Sequence, residues 1–217
     1  MSKTKDIRQS VEAELVFDPS VNSTDITVHN LGGEVRLTGT VPSYLQYLEA
    51  ATAAQRVSGV TKVHNNLEVV LPTAHERDDA TLAETANSVL LMNIAVPVGI
   101  EATASNGNLT LTGVVRFGSE RQAAEQAVVG LTGVRGIKNK IEISDDADPV
   151  DVTLLVSDAL DRNALILDDS EVAVTTDGNT AVLTGHVRTW AEHDAVIGAA
   201  WMAPGVYDVR DDLFITG

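Results

Sequence analysis

Five histidines and a surplus of carboxylates are the side chains here that could do chemistry: His29, His64, His75, His186 and His193, with 31 Asp and Glu against 15 Lys and Arg. A zinc site or a general base needs imidazoles brought to one point at ligand spacing. His29 and His186 fall in separate strand-like stretches and His75 in a polar connector, and no two histidines are spaced as a ligand pair. They read as surface or edge residues. The run Ser144-Asp145-Asp146-Ala147-Asp148-Pro149-Val150-Asp151 invites a calcium loop. It lacks the alternating ligands, the mid-loop glycine and the closing glutamate that such a loop requires. It reads as a solvated linker, with Asp151 capping the following helix. Asp168, Asp169, Glu171, Asp208, Asp211 and Asp212 make the last third locally acidic, as a cation site or as a charged solubilising surface. No Gly-x-Ser-x-Gly elbow, no phosphate loop with its lysine and no cysteine occurs. The chain therefore reads as a non-enzyme, with no cofactor and no assigned catalytic or metal-binding residue.

The elements that would position any site are written three times. Leu37-Thr38-Gly39 recurs as Leu111-Thr112-Gly113 and Leu183-Thr184-Gly185, at steps of 74 and 72 residues. Twenty residues after each glycine stands a Gly-Val pair: Gly59-Val60, Gly133-Val134 and Gly205-Val206. Fixed spacing within a fixed period means a triplicated module. The units are 1–73, 74–146 and 147–217. At this size a unit buries only about 60–65% of its unfolded surface, so each leans on its neighbours.

Each unit reads helix, strand, strand, helix, strand. The first helix carries an apolar stripe at a period of 3.6 residues: Ile7, Val11 and Leu15; then Leu82, Ala86, Val89 and Leu90; then Val152, Leu155, Val156 and Ala159. Thr81 to Glu84 has the form of a capping box. Two strands then meet at Gly32-Gly33, Asn106-Gly107 and Asp177-Gly178, pairs suited to the positive φ angles of tight hairpin turns. The repeated Gly39, Gly113 and Gly185 lie inside the second strand and mark a bulge or a close backbone approach. The second helix has small residues on its inward stripe: Ala50, Ala53, Ala54 and Val57; Ala124, Ala127, Val128 and Leu131; Val196, Ala199, Ala200 and Ala203. Ser43 to Gln46 and Thr189 to Glu192 read as capping boxes. In the middle unit Ser119 comes two residues later, which predicts a later start. Gly59, Gly133 and Gly205 are expected at the C′ position of these helices. A last strand (63–71, 136–143, 209–215) makes a parallel crossover. The fold class is α+β: three tandem αββαβ units, each a small three-stranded mixed sheet with two helices packed on it.

Net charge, −16 overall, is unevenly spread. The first unit has six basic and eight acidic residues, the second six and ten, and the third three and thirteen. No basic footprint for nucleic acid is visible, and the same field disfavours an anionic membrane. No stretch has the apolar length of a membrane span. The start, Met1 to Asp6, leads into charged helical sequence without a signal-peptide core. That points to the cytoplasm, or to the periplasm only if a leader has been removed.

Two tryptophans distinguish the third unit. Trp190 aligns with Tyr44 and Gly118 at the entry of the second helix; Trp201 aligns with Gln55 and Val129, one position off the small-residue stripe. Bulky aromatics that vary between parallel copies are interface candidates, between units or between subunits of a homo-oligomer.

This order, with Leu-Thr-Gly-x-Val, an alanine-rich helix, Gly-Val and a closing Asn-x-Leu/Ile, resembles the BON domain family (bacterial OsmY and nodulation) over nearly the whole chain. The third unit departs, with Asp211-Asp212-Leu213 where the others have Asn65-Asn66-Leu67 and Asn139-Lys140-Ile141. The resemblance implies small non-catalytic binding or adaptor modules, associated with envelope maintenance, phospholipid contact or osmotic and general stress. A family relative that joins one such domain to a LysM domain implies potassium binding as another reading. The resemblance assigns no functional residue. The expectation is a multivalent adaptor linked to stress, in which three similar surfaces raise effective concentration for an unknown protein or small ligand. The alternatives are a potassium- or calcium-type cation sensor and a phospholipid-associated module.

Overall fold

The computed structural model describes residues 6–144, 152–166 and 171–216. The first unit contains α1 (Ile7–Phe17), β1 (Ile26–Leu31), β2 (Glu34–Val41), α2 (Tyr44–Gln55) and β3 (Lys62–Val69). The second contains α3 (Asp79–Met92), β4 (Glu101–Ser105), β5 (Asn108–Val115), α4 (Gly118–Val129) and β6 (Gly136–Ile143). The third contains α5 (Val152–Asp161), β7 (Val172–Asp177), β8 (Thr180–Val187), α6 (Trp190–Met202) and β9 (Asp208–Ile215). The expected αββαβ order is thus observed three times.

Each sheet places its second strand in the centre, antiparallel to the first and parallel to the last. A central strand meets neighbours on both edges, so its inward side chains are the most enclosed. Leu37, Leu111 and Leu183 are accordingly fully buried. Each sheet carries its own core, in which the stripes of the two helices meet: Val11, Leu15, Ala50, Ala53 and Ala54 in the first unit, Leu82, Ala86, Leu90, Ala124 and Val128 in the second, Val152, Val156, Leu160, Val196 and Ala200 in the third. Val89, Leu155 and Ala159 are only half-buried on this stripe.

The Leu-Thr-Gly glycine has a steric reason. Gly39 and Gly185 adopt φ of +119° and +123°, and a Cβ there would lie 1.8 Å from the Asp25 carbonyl oxygen and 2.0 Å from that of Glu171. The first strand enters directly over this glycine, so no side chain fits.

Several local expectations are corrected. The middle unit's first helix is capped by Asp78, whose carboxylate accepts from Thr81 N–H at 3.0 Å and Thr81 Oγ1–H at 2.7 Å; Thr81 and Glu84 lie inside the helix. Helix α4 starts at Gly118, in step with its counterparts. Phe117 occupies the cap position without a side-chain acceptor, and Glu120 compensates by accepting from Phe117 N–H (3.1 Å) and Arg116 N–H (2.9 Å). Gly59, Gly133 and Gly205 are not C′ residues. Each helix ends earlier, and the glycine takes positive φ in a separate turn closed by Val60 N–H to Val57 O, Val134 N–H to Leu131 O and Val206 N–H to Ala203 O. That third position of a four-residue turn is where a type II turn needs glycine. The third hairpin turns on Gly178-Asn179, because Asp177 still pairs with Thr180. The linker run 145–151, with the proposed cap Asp151, and the acidic pair Asp168 and Asp169 lie outside the described residues.

Candidate functional site at the seams between units

The start of each second helix packs against the next unit. Tyr44, at the start of α2, packs against the core of the second unit. Burial there, with the second unit's Glu125 and the stacked ring of Tyr47 nearby, pushes the Tyr44 phenol above its ordinary pKa. At the start of α4 stands Gly118, and the ring of Trp201 from the third unit fills the space: a Cβ on Gly118 would come 2.2 Å from that ring. The Arg121 guanidinium lies over the same indole, 5.7 Å from its centre. At the start of α6 stands Trp190, whose indole N–H donates to the Val60 carbonyl of the first unit at 3.2 Å. First meets second, second meets third, and third returns to first. Head-to-tail contacts of this kind make a filament unless the rotation closes; here it closes within one chain.

One repeat position therefore serves all three seams with different residues. Tyr44 and Trp190 reach outward, while Gly118 recedes to admit Trp201 from across the seam. The half-buried Trp190 and Trp201 both lie between units.

His193 braces the closing seam. It sits one turn after Trp190 on α6, and the two rings meet edge to face at 5.1 Å. Its Nδ1 faces Asp194 at 3.1 Å and its Nε2 faces Asp211 at 2.8 Å. Burial opposes the charge on this ring, yet the two carboxylates outweigh it and raise the His193 pKa above its ordinary value. The departure at Asp211 explains the pair. In the other units the corresponding Asn65 and Asn139 donate side-chain N–H bonds to the helix carbonyls of Tyr47 (2.6 Å) and Arg121 (3.1 Å). A carboxylate has no such hydrogen, so at the same helix position the third unit supplies a histidine. The acceptor role is unchanged: Asn65, Asn139 and Asp211 each take the N–H two residues on. The i, i+3 spacing of Trp190 and His193 was the sequence signal for this contact.

The remaining candidate residues are dispersed. His64 faces Glu34 at 3.4 Å, while His186 lies beside Phe214. Asp212 pairs with Arg210 at 3.2 Å, and Asp208 accepts from Val209 N–H. Among the described residues no group of three His, Asp or Glu side chains gathers where it could hold a metal ion. On the first unit, Arg56 binds both Asp18 and Glu14; the Arg56 hydrogen bond and the Ser20 N–H hold the Asp18 carboxyl below its ordinary range. No described helix is long and apolar enough to cross a membrane.

A second surface lies at the far end of the first helices. Val16 and Phe17 end α1 at 75% and 81% exposure, and Leu91 and Met92 end α3 at 75% and 86%. Ile94 and Val98 extend the second tip, and residues 85–100 contain no charged side chain. Asp18 and Asn93 then turn the chain by accepting from the N–H two residues on, so both tips are presented alike.

The chain is 30% identical over 141 residues to Osmotically-inducible protein Y of Escherichia coli (strain K12), spanning 63% of this chain and 70% of that protein. Two solved structures of CdsD, a structural protein of the Type III secretion system of Chlamydia trachomatis, align at 18% identity. One, its C-terminal domain, covers 100% of both chains with a TM-score of 0.27. The other covers 94% of this chain and 90% of that one with a TM-score of 0.28. Scores this low carry no argument about fold or function. The model of the BON domain matches residues 3–70, 78–145 and 150–217, and with the three αββαβ units this makes the chain a member of the BON domain family.

Proposed function

We propose that this protein is a non-enzymatic, multivalent adaptor of the osmotic or general stress response, in which three BON units hold weak binding surfaces at fixed separations. The observation that carries this reading is the repeated apolar tip, Val16-Phe17 and Leu91-Met92, extended by Ile94 and Val98. Exposed apolar side chains grouped at a helix end are costly to keep in water and mark interaction surfaces, and at the second tip no charged side chain lies within residues 85–100. Two such tips on one rigid body gain by effective concentration against a partner that presents apolar surface twice. The stress assignment rests on the likeness to Osmotically-inducible protein Y.

The test is native mass spectrometry of the chain purified gently from its own host after osmotic upshift. A co-purifying protein retained by the native chain, and lost when Phe17, Leu91, Met92 and Ile94 are changed to serine, supports the reading. Equal retention by the serine variant refutes it. The same tips also favour a lipid-surface reading, which requires co-sedimentation with liposomes that survives high salt, since the net charge of −16 supplies no attraction to anionic lipid.

A further inference from the structure

The hairpin of the second unit turns on Asn106-Gly107, between the paired Ser105 and Asn108. Asn106 has φ +50° and is, among the described residues, the one non-glycine with positive φ; Gly107 follows at +76°. Asparagine tolerates that conformation and glycine adopts it freely, so the pair suits this turn. The same pair is a point of chemical weakness, because among the asparagines of this chain Asn106 alone is followed by glycine. Gly107 has no side chain to obstruct its own amide nitrogen, and the carboxamide beside it belongs to an exposed residue. The fold opposes attack of one on the other. A single carboxylate, that of Asp79 in the first turn of α3, accepts from Asn106 N–H at 2.8 Å and from Gly107 N–H at 2.9 Å. From β6, Arg135 N–H donates to the Gly107 carbonyl at 2.8 Å. These ties fix the peptide that would have to rotate. An anion against the Gly107 N–H also disfavours loss of the proton that attack requires.

We propose that Asn106 is the position at which this chain deamidates, and that Asp79 is the latch that holds the reaction back. The Gly107 amide gives up its proton and its nitrogen bonds to Asn106 Cγ. The Cγ–Nδ2 bond breaks, and the side-chain amide takes up a proton and leaves as ammonia. Water then opens the cyclic imide. Addition at Cγ breaks the Cγ bond to the Gly107 nitrogen and yields aspartate; addition at the backbone carbonyl breaks the original peptide bond and yields isoaspartate. One water is consumed, one ammonia is released, and nothing is oxidised or reduced. Either product sets a new carboxylate against that of Asp79, and isoaspartate also lengthens the backbone of the turn. Asn106 borders the crevices between the first and second units, so the change falls at a seam. It lies at the other end of α3 from the apolar tip, and the proposal stands whether or not that tip binds a protein.

The test is timed incubation of the full chain in mildly alkaline buffer, each variant held equally far below its own melting midpoint. Peptide masses locate the exchange of amide for acid, and enzymatic methylation of isoaspartate reads the product. The unsubstituted chain is expected to react slowly, and at Asn106 before any other asparagine. Asp79→Ala should speed the reaction at Asn106 by about tenfold or more, the factor that one charged hydrogen bond represents. Asp79→Asn, which keeps an acceptor without the charge, should fall between the two. Asp78→Ala is the control: it removes the helix cap on Thr81 but leaves Asp79 in place, and should react at close to the unsubstituted rate. A different asparagine reacting first, no acceleration in either Asp79 variant, or equal acceleration in Asp78→Ala and Asp79→Ala would each overturn the proposal.

Discussion

Replacing Trp190 by alanine tests whether the three units form a closed ring or merely touch. Truncating a fully buried tryptophan costs about 3–5 kcal/mol. Trp190 is half-buried, which scales the loss to about 2 kcal/mol, and about 1 kcal/mol of that is the indole hydrogen bond to Val60. For a unit of about 70 residues, 1 kcal/mol moves the melting midpoint by roughly 4–8 °C. Trp190→Ala is therefore expected to lower the midpoint of the third unit by about 10 °C, and Trp190→Phe, which keeps a ring but loses the N–H, by about 5 °C. Because the three cores are separate, a weakened seam also uncouples them. The calorimetric trace of the alanine variant should split into more than one transition. Leu165→Ala, at a position 66% exposed, is the control and should shift the midpoint by no more than an exposed substitution does, within about 0.5 kcal/mol. A single unsplit transition in Trp190→Ala, displaced no further than in the Leu165 control, would refute the closed ring.

Four further outcomes follow from the same geometry. Gly118→Ala drives a methyl into the Trp201 ring and should cost about 1–3 kcal/mol, the range for overpacking, relieved when combined with Trp201→Ala; denaturant melts of the single and double variants check this. His193 has a raised native pKa, so its contribution is fully present below its ordinary value near 6.5 and fades as pH rises through the raised one. The third unit should melt progressively lower across that window, and in Asp211→Asn, which restores the bond donor of the other units, this dependence should flatten. Gly39→Ala should cost more than about 2 kcal/mol, since it combines strained φ with a backbone collision, whereas Gly32→Ala, with nothing within 4 Å of a Cβ, should cost distinctly less in the same urea titration. In solution scattering the chain should show a radius of gyration near the ~17 Å of a compact body of this length; a substantially larger, flexible envelope would favour beads on a string.

What was legible in the sequence is what depends on residues near one another along the chain. Periodicity at Val11 and Leu15, or at Ala50, Ala53 and Ala54, reports which helix face is buried, and the spacing of Leu-Thr-Gly to Gly-Val sets the order of elements. Ser43 was read correctly as a cap, since it accepts from Gln46 N–H, but the Gln46 carboxamide turns to Asn22 N–H instead of reaching back to complete the box. Caps were misread where the acceptor came from elsewhere, as with Asp78, or where only Glu120 performs the capping. The Leu-Thr-Gly glycine was recognisable as a close approach, but that it faces a carbonyl of the entering strand is a matter of register. The closed seam lay beyond sequence, because Trp190 and Val60 stand 130 residues apart and nothing local marks Gly118 as the socket of Trp201. The exchange of Asn for Asp211 was visible as a departure in the third unit. Only the packing of α6 on β9 showed that His193 supplies the hydrogen the carboxylate lacks, since which side chains meet across a parallel crossover is decided by the sheet and not by the chain.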